Sequence, residues 1–309
     1  MRLFRLFIPR NIATYLPNCT ESAVQDATTR QSSPGLSQPN DATSGPLVIL
    51  VLLPIAILAI ATGFFRLTDA DRVVSQWAYH NSTNPWPWAH TQLCDFIYSY
   101  GTLPGIFLGV AGLAVGLAGS VWHRLRPYRR AGFFLAAMLA LGPGLMVNGI
   151  LKPRWCRPRP CQTAEFGGNQ EFVSVWSMGT FDQCKSFPSG HASMGFLLMA
   201  PAFLLYRRRR QLAAGFVFLG LVAGMALGVT RILQGGHFLS DVVWAAGMIY
   251  LTGLVLVGLY RLAELWASTS VGNEDEVRLL ADSDALHPQE HDSEAATRVP
   301  EAPSRRNAA

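Results

Sequence analysis

Uninterrupted apolar stretches constrain this chain more than any other feature. A helix of about 20 such residues matches the ~30 Å hydrocarbon core of a bilayer. Six stretches approach that length: Pro46 to Leu67, Leu103 to Val121, Ala131 to Leu151, Phe187 to Tyr206, Leu212 to Leu233 and Val242 to Tyr260. A backbone surrounded by lipid must satisfy its own N–H and C=O groups, so these stretches predict helices. The expected fold is all-α, a six-transmembrane-helix bundle with disordered termini. Half of the 309 residues are hydrophobic, 15% are charged and mean hydropathy is +0.23. That is too little charge for a typical soluble chain of this size.

The polar segments set the boundaries. Residues 1–45 begin with Arg2, Arg5 and Arg10 and turn rich in Ser, Thr, Gln, Asn and Pro. Their apolar residues are too interrupted for a signal-peptide core, and the segment reads as a disordered cytoplasmic lead-in. Residues 46–262 form the expected membrane domain, and residues 263–309 a disordered acidic tail. From Val271 onward nine acidic residues face four arginines, so that segment carries −5 and the rest of the chain +10. The basic residues fall in short clusters between apolar runs, which argues against nucleic-acid binding and for arginines at a membrane face and in an anion site.

Arginine placement also predicts orientation. The lead-in, the loop His123–Arg130 and the run Arg207–Arg210 alternate with poorer loops, so all three are expected on the cytoplasmic side. Six spans then leave both termini inside, and the loop Lys152–Ser186 lies outside with the turn between spans five and six. The polar connection Arg66–Tyr100 holds Asp69, Asp71, Trp77, Trp86 and Trp88, its tryptophans read as an interfacial belt. Gly105, Gly109, Gly112 and Gly116 make a small-residue face for helix packing. Asn148 requires a polar partner within the bundle.

Three clusters at one end of these spans carry the chemistry. In Ser186-Phe187-Pro188-Ser189-Gly190-His191, a hydroxyl donor, a glycine permitting close approach and a titratable ring precede a helix, whose unpaired N–H groups attract anions. A capping serine and an interfacial histidine are the plain alternative. In Lys152-Pro153-Arg154-Trp155-Cys156-Arg157-Pro158-Arg159, positive charge on the outer side opposes the usual bias. Lys152 and Arg159 suit a phosphate clamp, whereas snorkelling anchors would need no such charge there. In Thr230-Arg231 through His237 to Asp241, ionisable groups at the bilayer edge are functional candidates. Asp241, four residues after His237, can accept one ring proton and leave the other nitrogen as nucleophile or base. A local pair that secures a helix start is the competing reading.

Lys152-x6-Arg159-Pro160, Pro188-Ser189-Gly190-His191 and Arg231-x5-His237-x3-Asp241 together resemble the three-part signature of the type 2 phosphatidic acid phosphatase superfamily. These membrane lipid phosphatases are related to vanadium haloperoxidases and bacterial acid phosphatases. One position departs: Thr230 stands where the family usually has Ser. Gly142-Pro143-Gly144-Leu145 with Asn148, Arg157-Pro158-Arg159-Pro160, Ser193-Met194-Gly195-Phe196 and Gln234-Gly235-Gly236-His237-Phe238 are similar to the bacterial lipid A 4′-phosphatase branch.

The resemblance implies a haloperoxidase-like helical fold in a bacterial inner membrane with its site facing the periplasm. It further implies that His237 attacks phosphorus to form phosphohistidine while Asp241 orients it. His191 then protonates the leaving oxygen and later activates water. Lys152, Arg159, Arg231, Ser189 and the Gly190 N–H hold the phosphoryl oxygens, with neither metal nor cofactor. Ordinary imidazole values place a bell-shaped pH profile within a unit or two of about 6.5. The substrate is a lipid phosphate. Lipid A, undecaprenyl diphosphate, phosphatidylglycerophosphate and phosphatidic acid all qualify, and an anion transporter using the same arginines is the non-enzymatic alternative.

Five cysteines occur without a C-x-x-C pair, so a zinc ribbon or thioredoxin-like motif is excluded. Cys94, Cys156, Cys161 and Cys184 are all expected outside, where two disulfides can form in three connectivities. His80, His90, His123, His287 and His291 read as surface residues. Trp155, Phe166 and Trp176 read as interfacial anchors or as the lining of a substrate entrance.

Overall fold

Long runs of Leu, Ala, Val, Ile and Gly with almost no internal charge satisfy their backbones as helices, and this dictates the architecture. The computed structural model describes residues 44–179 and 185–286, with side chains described over 49–179 and 185–263. Cys19, Cys184 and the terminal segments 1–43 and 287–309, including His287 and His291, lie outside the described residues. The chain divides into two units after Val257.

In the first unit α1 (Ser44–Leu67) is followed by two short helices, α2 (Ala70–Ala78) and α3 (Gln92–Tyr100), and then α4 (Leu103–Val121). A 3-10 turn, His123–Tyr128, leads into α5 (Arg129–Leu139), which continues through a π-helical stretch, Ala140–Leu151, into α6 (Lys152–Trp155). After the long loop come α7 (Gly190–Phe196), α8 (Ala200–Leu205) and α9 (Arg210–Leu233), and then α10 (Leu239–Leu286). Among the described residues strand pairing is limited to one isolated bridge, Thr163 to Gln170.

Among the described residues, five helical segments are long and apolar enough to cross a membrane: Ile49–Leu67, Gln92–Val121, His123–Gln162, Arg210–Leu233 and Leu239–Ala263. The expected fourth span is shorter than predicted, an apolar helix over Gly190–Leu205. Its backbone tightens to 3-10 geometry at Leu197–Met199, just ahead of Pro201, because proline cannot donate to the preceding turn. The polar connection Arg66–Tyr100 also departs from expectation, since it folds into α2 and α3. In the second unit the backbone stays helical to Leu286, where a disordered tail from 263 was expected. Arg261-Leu262-Ala263-Glu264-Leu265 are strong helix formers, and no proline interrupts before Pro288.

The helices pack through small residues. A methyl group at Gly112 would lie 2.9 Å from the Gly132 carbonyl oxygen, and one at Gly109 would lie 2.4 Å from Leu139. The glycine face of α4 therefore seats α5, as the spacing predicts. Gly195 meets Gly224 between α7 and α9, and Gly228 meets Val242 between α9 and α10. On α1, Thr62 Oγ1 accepts a hydrogen bond from Trp244 Nε1 at 3.1 Å. Phe134, Met138, Val147, Phe196, Leu197, Phe238 and Ile249 fill the interior. Large apolar side chains cover the outside: Ile60 is 72% exposed, Phe107 74% and Phe218 69%. Apolar surface on that scale fits lipid and not water.

Candidate active site

The first component is built where α5 loses its regular ladder. Pro143 has no N–H to donate, and over Ala140–Leu151 the helix widens to π geometry, a deviation associated with functional sites. Asn148 Nδ2 donates to the Pro143 carbonyl at 2.7 Å, and its Oδ1 accepts from Lys152 Nζ at 3.3 Å. Asn148 thus finds its polar partner in the lysine of the first cluster. Lys152 in turn lies against the second cluster, since a methyl group at Gly190 would sit 2.9 Å from both Lys152 Nζ and Asn148 Oδ1. Only a residue without Cβ admits the ammonium here.

Ser189 is fully buried and caps α7, its Oγ accepting from the Ala192 N–H at 3.4 Å. Its own N–H donates to the Asp241 carbonyl oxygen at 3.1 Å. That bond fastens the second cluster to the third. A second tie joins the first and third, where the Cys161 N–H donates to the Gly235 carbonyl at 3.0 Å. Gly235 turns the chain at φ +61°, with Trp86 filling the space a side chain would need.

At the end of α9, Arg231 Nη1 donates to Gln234 Oε1 at 2.5 Å. Its guanidinium lies on Gly236, where a methyl group would stand 2.2 Å from Nη2. The same guanidinium sits 4.9 Å from the Tyr98 ring, and that ring stacks on His191 at 4.6 Å and 15°. Thr230, the departure from the usual serine, turns its hydroxyl to the Ala226 carbonyl at 2.9 Å, within its own helix.

His237 precedes α10 and is 2% exposed, its Nδ1 standing 3.5 Å from Asp241 Oδ2. This is a close approach short of a formed hydrogen bond, and Nδ1 has no other partner. Asp241 is held from several directions. Oδ1 accepts from Arg157 Nη1 at 2.5 Å, and Oδ2 accepts from Ser186 Oγ at 2.6 Å and from the Phe238 N–H at 2.9 Å. Lys152, Arg159, Arg231 and His237 are the electrostatic neighbours of His191, and Lys152, Arg231 and Asp241 are among those of His237. All eight sequence-predicted residues are therefore brought to one end of the bundle. Burial is the main cause that lowers the His237 pKa to about 4, assisted by Lys152 and Arg231 and opposed by Asp241. The ring is neutral at physiological pH, with Nδ1 on the Asp241 side and Nε2 free for chemistry.

Several residues of this region were not assigned from the sequence. Arg157, one of the basic cluster, is entirely buried, and Asp71, one of the polar connection, is 2% exposed. They pair at 2.8 Å between Nη2 and Oδ2. Ser240 joins them, donating from N to Asp71 Oδ1 at 2.9 Å and from Oγ to Oδ2 at 2.6 Å. Arg157 Cζ also lies 4.5 Å from the Phe238 ring, and its Nε donates to the Val173 carbonyl at 2.8 Å. Tyr98 was likewise unassigned. A run of aromatic and charged types marks such positions, but which pairs meet is not local information.

Three expectations are corrected. Trp155 and Trp176 are not surface anchors: they pack edge-on at 4.7 Å in a cluster with Phe187 and Trp244. Phe166 is buried against Tyr79 and Trp86. Cys94, Cys156 and Cys161 carry free thiols, so the expected disulfides are absent among these three. His80, His90 and His123 are exposed, as expected.

Residues 131–264 match the PAP2 superfamily. The chain is 32% identical over 218 residues to the lipid A 4′-phosphatase of Francisella tularensis subsp. novicida, an alignment covering 69% of this chain and 97% of that protein. It is 36% identical over 121 residues to the lipid A 4′-phosphatase of Rhizobium leguminosarum, covering 38% of this chain and 50% of that one. A match of the same length, also at 36% identity, is found with the lipid A 4′-phosphatase of Rhizobium etli, covering 46% of it. No solved structure matches. With near-complete coverage of the Francisella relative and the superfamily match lying over the clusters just described, this chain belongs to the PAP2 superfamily and is a membrane lipid phosphatase.

Proposed function

We propose that this phosphatase hydrolyses the 4′-phosphate of lipid A at the periplasmic face of the bacterial inner membrane, through a phosphohistidine at His237. The observation that carries this reading is a buried, neutral His237 beside Asp241, with Lys152, Arg231 and His191 around it. The names of the relatives support the substrate. In this reading Gly190–Leu205 is a sixth, short crossing, both termini are cytoplasmic and the site faces outward; the arginine-rich loops support that orientation.

The chemistry runs in two displacements. His237 Nε2 donates its lone pair to phosphorus, the P–O bond to the sugar breaks, and His191 gives its proton to the leaving oxygen. The Nδ1 proton stays between the ring and Asp241, whose negative charge stabilises the positive imidazole. In the second step His191 takes a proton from water, the hydroxide oxygen attacks phosphorus and the P–N bond breaks, releasing inorganic phosphate. Lys152, Arg159 and Arg231, with the Ser189 hydroxyl and the Gly190 N–H, neutralise the transferring oxygens. Three fixed cations supply the charge stabilisation that Mg²⁺ gives in kinases, so chelators are expected to leave activity unchanged.

Purified, detergent-solubilised protein should release phosphate from lipid A faster than from undecaprenyl diphosphate, phosphatidylglycerophosphate or phosphatidic acid. H237A should lower that rate by about 10³-fold or more. A preference for one of the other lipids would overturn the substrate, and an active H237A would overturn the mechanism.

A further inference from the structure

We infer that Asp71 is a positioning residue for the reaction, sharing Arg157 with Asp241 so that Asp241 keeps net negative charge directed at His237. The inference rests on the reading of His237 as nucleophile. It concerns a residue 170 positions from Asp241 in sequence and outside the region matched by the superfamily.

A guanidinium that met one carboxylate alone would neutralise it. Here Arg157 divides its donors: Nη1 serves Asp241 Oδ1 at 2.5 Å and Ser240 Oγ at 2.8 Å, and Nη2 serves Asp71 Oδ2 at 2.8 Å. Both aspartates and the arginine are at most 2% exposed, so water screens little of this charge. Two carboxylates and one guanidinium leave a single surplus negative charge. Asp241 Oδ2, at 3.5 Å from His237 Nδ1, is where the network meets the ring. As His237 attacks phosphorus it becomes positive, and that surplus stabilises it. Asp71 also fixes the geometry, because it accepts the Ser240 N–H at the start of α10 and thereby sets the helix turn that carries Asp241. The other groups facing His237 are Lys152 on α6, Arg231 on α9 and His191 on α7, all basic. The surplus negative charge therefore comes from this network.

Two charge-removing variants, each assayed as full-length protein in detergent, make opposite demands. D71N keeps the side-chain shape and leaves the network neutral, so imidazolium is less favoured. The acid limb of kcat/KM should move to lower pH by about half a unit and kcat should fall about tenfold. KM should hold, because Lys152, Arg159 and Arg231 are untouched. R157Q leaves two negative charges and should move the same limb to higher pH. D71N/R157Q restores one charge and should bring the limb back toward wild type. A purely structural role would lower activity in both single variants without opposite shifts, and that result would overturn the inference. So would limbs that do not move, or the failure of both variants to fold. H237A measured in parallel separates the two ideas: an active H237A refutes the nucleophile, whereas an inactive H237A with wild-type behaviour in D71N refutes only the role of Asp71.

Discussion

Gly236 shows how a residue without a side chain can govern a charged one. A methyl group there would lie 2.2 Å from Arg231 Nη2, and the guanidinium, at the end of a flexible stem, would move aside at small cost in stability. G236A is therefore expected to fold normally and to raise KM about tenfold, as one charge-assisted phosphate contact is lost. Steady-state kinetics alongside a thermal melt check both halves. His237 revises the pH expectation. Ordinary imidazole values put both limbs of the profile near 6.5, but burial lowers this pKa to about 4. Burial, with Arg231 and Lys152 nearby, lowers the His191 pKa to about 4 as well. With His237 as the proposed nucleophile and His191 as the proposed acid, both limbs move to lower pH and kcat/KM should peak nearer 4 than 6.5. A pH series on the free enzyme tests this, and an acid limb near 6.5 would contradict it.

At the scale of the element, glycine content separates packing faces from open ones. Gly112 on α4 faces the Gly132 carbonyl on α5, whereas Gly63 on α1 has nothing within 4 Å. G112L should force α4 away from α5 and lower the melting temperature by several degrees, while G63L should leave it unchanged or raised through better helix propensity. Equal effects of the two would mean that α4 and α5 do not pack through this face. Trp176 makes the comparable test for the long loop between α6 and α7. It adopts φ +61° and packs against Trp155, Phe187 and Trp244, so W176A should cost about 3 kcal/mol in unfolding measurements.

Across the whole molecule, exposed apolar helices and a polar end define how the chain sits in a bilayer, and Cys161 reports on it. Its thiol is free and exposed, close to Arg159 and Arg231. In a variant retaining only this cysteine, a membrane-impermeant maleimide added to spheroplasts should label it without reductant. Labelling only after lysis would reverse the proposed orientation.

The sequence alone determined the helical class and most of the long apolar helices, and it picked out eight residues that the fold gathers at one end, because each of these depends on neighbours a few positions apart. Hydrophobic length specifies a span, and spacings of three to seven residues place a lysine near an arginine or a histidine near an aspartate. It misjudged the start and length of the Gly190–Leu205 helix and the folding of Arg66–Tyr100, where proline geometry and buried polar contacts override composition. Only the tertiary structure decided that Arg157 is shared by Asp71 and Asp241, that Tyr98 lies between His191 and Arg231, and that Trp155 and Trp176 turn inward. Those contacts join segments tens of residues apart. A buried charge takes whichever partner the packing brings to it, and no local pattern encodes that choice.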